Sequence, residues 1–359
     1  MQLVPFWFIL IAVLWTGFFI LEGFDFGVGM LHSAVGRDDA ERRAAINTIG
    51  PLWDGNEVWL IVAGAGMFAA FPGWYATMFS GLYLALVLLL TSLIIRGVSF
   101  EYRGKRDAAQ WRRTWDWALT VGSVLAPLLI GIALGDLLAG LPIDSAQNYT
   151  GSFWDLFQPY AVFTGVTFVL ICLQHGATFL SLKTTAEMHE RSRLQARRIA
   201  PFAAAAVTGF IIWTHVTAST TFFLNLIELL AILAVLAAAT AVYARRDGFA
   251  FAATTVTIAA CILAIFADLY PNLMVSSTSK AYSLTVHNAA STPYSLKAMT
   301  VVVVVFLPLV LIYQAWTYYV FRRRVSASEF QPPAPPSAAA PGAEPRPTAP
   351  DSAAVRRSN

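Results

Sequence analysis

Charge is scarce in this chain. Charged residues make up 13% of its 359 positions and hydrophobic residues 57%, whereas a soluble domain carries roughly 25% charged residues. That balance excludes an ordinary soluble fold. Cysteine is scarcer still: the two present, Cys172 and Cys261, fall mid-way along apolar runs and none lies in a loop. A disulfide framework is therefore excluded, and both are read as buried thiols. Of five histidines, no pair has metal-ligand spacing, and a haem axial site needs a His or Met aimed into a cavity, for which the sequence shows no convincing position. The net charge of +3 gathers into no basic face, so no nucleic-acid partner is expected.

What is present is a series of long apolar runs. About 20 helical residues cross a hydrocarbon core of roughly 30 Å. On that rule the sequence predicts nine spans, at roughly 5–33, 50–70, 74–100, 115–138, 159–182, 199–219, 222–243, 248–270 and 299–321. The first run is too long for a cleavable signal and lacks a basic flank, so it is expected to stay as a helix. Pro51 opens the second span, and Pro72-Gly73 turns the chain into the third.

The loops alternate in charge. Arg37, Arg42 and Arg43 follow the first span; Arg103, Lys105, Arg106, Arg112 and Arg113 follow the third; Arg191, Arg193, Arg197 and Arg198 follow the fifth. Arg245 and Arg246, then Arg322 to Arg324, continue the pattern, while the other loops hold only Lys280 and Lys297. Positive loops stay inside, so the N-terminus is expected outside and the C-terminus in the cytoplasm. Residues 1–325 read as a membrane domain and 326–359, rich in Pro, Ala and Ser, as a disordered cytoplasmic tail. An outer loop at about 271–297 is expected to pack over the outer face. A faint repeat relates spans one to four with spans five to eight, although chance similarity between apolar helices explains it equally well.

Against this apolar background two acidic pairs stand out. Glu22 and Asp25 lie near the end of the first span, and Asp54 and Glu57 at the start of the second. An ionised carboxylate in hydrocarbon costs several kcal/mol unless water, a partner or a task meets it. With a rise of ~1.5 Å per residue, Glu22 and Asp25 lie roughly 25–30 Å from the outer side, Asp54 and Glu57 about 6–10 Å from the inner side, and Arg96 ~30 Å down the third span. All five share one depth. Spacing i to i+3 sets each pair on one helix face, and Arg96 is the natural counter-charge. The pattern predicts a hydrated pocket open to the cytoplasm that carries protons or cations. Two plainer readings stay open: an inert ion-pair network that fixes helix register, and Glu22 or Glu57 reaching to the headgroups. His175 and Glu228 are read as satisfied core residues. Trp53, Trp59, Trp74 and Trp213 are read as interfacial or packing aromatics.

Several motifs resemble one family. They are Gly23-Phe24-Asp25-Phe26-Gly27-Val28-Gly29-Met30-Leu31, Trp53-Asp54-Gly55-Asn56-Glu57-Val58-Trp59-Leu60, and Phe68 to Ala76 around Pro72-Gly73. Arg96 to Arg103, Tyr270 to Met274 and Ser283 to Ser291 also fit. Over about residues 5–325 the chain resembles subunit II of the cytochrome bd-type quinol oxidases. Spans five to eight match less distinctively and the tail lies outside the pattern. The resemblance implies an all-α polytopic membrane protein whose nine transmembrane helices form two four-helix bundles plus one peripheral helix. It implies a heterodimer with subunit I in the bacterial cytoplasmic membrane. Subunit I would hold haems b and haem d, with no haem ligated by this chain. The complex would oxidise quinol and reduce oxygen to water with cytoplasmic protons. The family picture also allows a structural quinone, or an oxygen tunnel, against this subunit. It gives this subunit a proton route, with Asp54 the leading candidate, Asp25 the second, and Glu57, Glu22 and Arg96 in support. A proton-coupled secondary transporter is the main alternative from the residues, and a purely structural membrane subunit the third reading.

Overall fold

The computed structural model describes residues 3–218 and 224–331. Helix α1 (Leu3–Val35) runs through the middle of the protein, and it is long because no Pro or charge interrupts the run between Pro5 and Glu22. It packs against α3 (Trp53–Ala70), α6 (Ala109–Ala139), α7 (Pro159–Lys183) and α10 (Asp247–Leu269). Helices α4 (Pro72–Gly81) and α5 (Tyr83–Tyr102) follow α3, and α5 lies along α6. Helix α7 packs on both α8 (Ala186–Ala218) and α10, and α9 (Leu226–Tyr243) closes that group against α8 and α10. The last long helix, α11 (Pro293–Val320), touches α1 and α3 and buries only Leu296.

Eight helices among the described residues are long and apolar enough to cross a membrane. The expected second span differs in kind: α3 has 18 residues, and Asp54, Asn56 and Glu57 in its first turns lower its apolar character. The third span is interrupted. It breaks into α4 and α5 at Gly81-Leu82, where a side chain at Gly81 would stand 2.7 Å from Tyr149 Cβ. Helix α8 begins 13 residues before the predicted start because Glu187–Arg191 and Glu190–Arg193 pairs support a charged extension.

Short elements close the two ends. At the arginine-rich end lies α2 (Asp39–Asn47), capped by Asp38 Oδ1, which accepts from the Glu41 amide at 2.8 Å. Glu41 is also ion-paired to Arg191 of α8, tying α2 to that helix. Partial burial raises the Glu41 pKa, but hydrogen bonds from the Arg37 backbone and the Arg191 side chain outweigh it and hold the carboxyl below its ordinary value. Residues 327–330 of the expected tail form a short turn packed under α2, with Arg43 over the Phe330 ring at 5.6 Å. From residue 332 onward the tail lies outside the described residues. At the opposite end, β1 (Asn272–Met274) pairs antiparallel with β2 (Leu284–Thr285). The surrounding loop is anchored by Ser276 Oγ, which donates to the Ile143 carbonyl at 2.9 Å, and by the Ser291 amide, which donates to the Ala70 carbonyl at 2.8 Å.

The tightest crossing joins α1 to α7. A Cβ at Gly27 would stand 2.1 Å from the Cys172 carbonyl oxygen and 2.6 Å from Gly176 Cα, so the two backbones touch. Without a hydrophobic force between helices in lipid, such close approach of small residues is what holds them. Gly27→Ala is therefore expected to cost about 1–3 kcal/mol by overpacking, read as thermal stability of the detergent-solubilised protein. Gly64→Ala, where nothing lies within 4 Å of the added methyl, should leave that stability unchanged.

Candidate functional site

The polar interior of the first helices is built on α1. Glu22 and Asp25 are one turn apart and both are fully buried. Across from them, α5 delivers Arg96, also fully buried, whose Nη1 is ion-paired to Glu22 Oε1 and lies 3.4 Å from Glu57 Oε2 of α3. The guanidinium lies over the rings of Phe26 and Phe100, 4.9 and 5.3 Å from their centroids, so part of its surroundings is aromatic π-density. Gly122 of α6 lets the helices close on it: a Cβ there would stand 2.9 Å from Arg96 Cβ.

Asn56, absent from the candidates drawn from the sequence, joins the site to the last helix. Its Nδ2 donates to Asp25 Oδ2 at 2.7 Å and to the Leu21 carbonyl at 3.2 Å. Its Oδ1 accepts from Gln314 Nε2 and Tyr318 Oη of α11, each at 2.9 Å. An amide has two donor hydrogens and two acceptor lone pairs, and here all are used. Asn56 therefore fixes the orientation of Asp25 and gives the exposed helix α11 a polar anchor. The clue was available: Gln314 is an isolated amide within an apolar run, and Asn56 stands between the two acids of its motif.

Asp54 is placed differently. It lies on the exposed face of α3 and joins no ion pair among the described residues, while Glu57 is half-buried between the two environments. That same face of α3 exposes Val58, Ile61, Val62 and Phe68, so it is a surface that lipid or another protein must cover. The structure thus brings Glu22, Asp25, Glu57 and Arg96 together and leaves Asp54 one turn away, pointing outward.

A second charged group, also missed in the sequence, lies at the arginine-rich end. Asp116 of α6 receives Arg103 Nε at 2.5 Å, has Arg42 Nη1 at 3.5 Å, and faces His32 Nε2 at 3.3 Å. Arg103 and Arg112 both reach Asp39, at 2.9 and 2.8 Å. All of these except His32 line an open cleft of about 750 Å³. An apolar cleft of about 610 Å³ lies elsewhere, between Trp15, Tyr75, Tyr83 and the flanking leucines of α3 and α5.

The histidines of α7 and α8 are engaged by protein groups. His175 is held between Thr254 Oγ1 at 2.7 Å and the Ile20 carbonyl at 3.2 Å and stacks on Phe251, and His215 Nδ1 faces Glu228 at 3.0 Å. No histidine lines either cleft, and no cluster of three His, Cys, Asp or Glu side chains suited to a metal occurs among the described residues.

Residues 3–321 match the family described as Cytochrome bd terminal oxidase subunit II. The chain belongs to that family. It is 44% identical over 329 residues to cytochrome bd ubiquinol oxidase subunit 2 of Bacillus subtilis (strain 168), covering 90% of this chain and 97% of the relative. It is 39% identical over 362 residues to cytochrome bd-I ubiquinol oxidase subunit 2 of Escherichia coli (strain K12), covering 90% and 96%. A chain from the structure of bd oxidase from Geobacillus thermodenitrificans has the same fold, with a TM-score of 0.73 at 19% identity over 89% of this chain and 99% of that one. The eight apolar helices and the family together make this subunit II chain a multi-pass membrane protein.

The Arg96 ion pairs give a direct expectation. Removing one partner of a buried pair typically costs about 3–5 kcal/mol, because the other charge is left uncompensated. Arg96→Gln should lower the thermal stability of the solubilised subunit accordingly, and Glu22→Gln added to it should restore a substantial part. Additive losses in the double variant would show that the two side chains are not coupled.

Proposed function

We propose that this chain is the haem-free subunit of a cytochrome bd-type quinol:oxygen oxidoreductase in a bacterial cytoplasmic membrane. In this reading it supports a haem-bearing subunit I and supplies that subunit with protons from the cytoplasm. The observation that carries the proposal is the junction of α1, α3 and α5, where Glu22 and Glu57 pair with one buried guanidinium and the buried Asp25 lies one turn from Glu22 in a member of the subunit II family. One cation cannot balance three carboxylates in a low-dielectric interior, so the junction is suited to holding an exchangeable proton. Asp25 Oδ1 and Arg96 Nε and Nη2 have no protein partner, and buried polar atoms of this kind are met by ordered water.

The arrangement has a direction. Glu22 and Asp25 are the inner acids, Glu57 is half-buried, and Asp54 faces out from α3 towards the surface that subunit I would cover. Protons held at Asp25 and Glu22 would pass by Glu57 to Asp54 and across to the partner, where haems b and haem d would supply the chemistry of oxygen reduction to water. Quinol is oxidised by the complex, and the apolar cleft beside Trp15 and Tyr75 would suit a structural quinone. The relatives' names carry ubiquinol, which sets the substrate class and leaves the quinone of this complex open.

The fold follows the same reading. With α3 counted as a ninth crossing, α1, α3, α4–α5 and α6 make one four-helix bundle and α7 to α10 the other, with α11 peripheral. Packing of α7 on α8 and α10, and of α9 on both, supports the second bundle. The arginine-rich end, including α2, would lie in the cytoplasm.

A structural role is favoured by one observation: Arg96 already has a carboxylate from each of two helices, α1 and α3, as a register lock would need. The test separates the two. In the assembled complex, Asp25→Asn should reduce quinol-dependent oxygen uptake by about 100-fold, the scale of a lost proton-transfer group, with the haem spectrum intact. Asp54→Asn should act in the same direction. Normal turnover in both variants would remove this chain from the proton route, and loss of haem would favour the lock. A complex that purified alone and colourless would instead favour a transporter.

A further inference from the structure

A single polar stripe continues along α1 beyond the acid pair. Glu22, Asp25, Gly29 and His32 are spaced three, four and three residues apart, so they share one helix face over about 15 Å. Helix α6 presents a matching stripe, Ser123, Thr120 and Asp116, running the other way. The two are in contact from Gly29 to His32. A Cβ at Gly29 would stand 2.0 Å from Ser123 Oγ. Thr120 Oγ1 donates to the Gly29 carbonyl at 3.3 Å, and His32 Nε2 meets Asp116 at 3.3 Å. Ser123 is fully buried and its hydroxyl has no protein partner. The residue before Ser123, Gly122, lies against Arg96 of the acid junction.

His32 is fully buried, yet its neighbours Ser33 and Asp116 both line the 750 Å³ cleft. The hydrogen bonds around its ring are of an uncommon kind. Nδ1 lies 2.8 Å from the Gly29 carbonyl oxygen, which can only accept, so Nδ1 carries hydrogen. Nε2 has two partners: the Ser33 hydroxyl at 3.0 Å and Asp116 Oδ1 at 3.3 Å. When Nε2 is bare it can accept from Ser33; when it is protonated it can donate to Asp116. Both protonation states of the imidazole are therefore provided for. The charged groups around this point are Asp116 on α6, Arg103 after α5, Arg42 on α2, and Asp39, which Arg103 also holds.

We infer that the cleft at the arginine-rich end is the proton intake of this subunit, and that His32 and Ser123 carry protons from it along the α1–α6 seam to Asp25 and Glu22. The inference rests on the proton-supplying reading above and assigns its inlet to the cleft, upstream of Asp54. A proton from the cleft binds Nε2 and makes the ring an imidazolium, with the Nδ1 hydrogen kept on the Gly29 carbonyl. The same Nε2–H bond breaks when the proton moves inward towards Ser123, and the ring returns to its resting tautomer with Nε2 accepting from Ser33. Arg103 and Arg42 keep Asp116 charged and in place, so Asp116 steadies the imidazolium and is a positioning residue.

The test uses the whole oxidase complex in native membranes or detergent, with His32→Gln, Ser123→Ala and Asp25→Asn compared with the parent. His32→Gln and Ser123→Ala should each slow quinol-dependent oxygen uptake by more than about ten-fold, a fraction of what a proton-transferring side chain contributes. His32→Gln should also change the shape of the pH–rate profile, with haem content and spectrum unchanged. A purely architectural histidine would alter the amount of assembled complex and leave that profile intact. If His32→Gln lowers haem content, the Ser123→Ala rate at full haem content decides. Slow Asp25→Asn with normal His32→Gln and Ser123→Ala would overturn the inlet and leave the acid junction standing. Normal Asp25→Asn would bring down both.

Discussion

A guanidinium inside an apolar helix bundle cannot stand without counter-charge, and Arg96 is the group around which this end of the molecule is organised. It sits on α5, takes Glu22 from α1 and Glu57 from α3, and lies over two phenylalanine rings. Each contact makes a demand on the fold. Glycine at position 122 is needed where α6 crosses it, and Asn56 must hold Asp25 in position without adding charge. The same pair of acids that would be prohibitively expensive in bare hydrocarbon becomes tolerable once the cation and the polar atoms beside it are supplied. What remains after that balance is a surplus of carboxyl groups, and the proposed proton route rests on this surplus.

Much of this could be read from the sequence, and the reasons are specific. Helical rise turned residue number into depth, and so Glu22, Asp25, Glu57 and Arg96 could be set at one level before any coordinates. Depth carries no rotation about the helix axis between neighbouring helices, however. Asp54 shares the depth of Glu57 yet lies on the uncovered side of α3, a distinction that spacing within one helix cannot make. Gln314 and Tyr318 are more than 250 positions from Asn56 in the chain, and only the return of α11 to α3 joins them. The Gly81-Leu82 break lies where Tyr149 from a distant loop packs against Gly81, a contact that the local pattern cannot show. His32 gives no local signal in the sequence, because its partner Asp116 is 84 positions away.

The two sides of the protein differ in what they require. The interior seam of α1 with α6 and α7 is closed by glycines and small polar groups, with α1 and α7 in backbone contact at Gly27 and Gly176. The outward faces of α3, α5 and α11 are largely apolar and uncovered, with Asp54, Glu101 and Lys297 among their exposed charges. A membrane subunit with this division is stable through its own seam and presents a broad face to whatever it assembles with. In the proposed reading, the acids near that face would serve a redox centre in a companion chain.

The central claim is that the Arg96 junction holds a proton on a buried carboxyl group. Infrared difference spectroscopy of the complex between its oxidised and reduced states reads this directly. The account predicts a protonated-carboxyl C=O band that shifts in D2O and is lost or displaced in Asp25→Asn or Glu22→Gln complexes with normal haem spectra. A difference spectrum without such a band, or with one unaffected by either substitution, would contradict it.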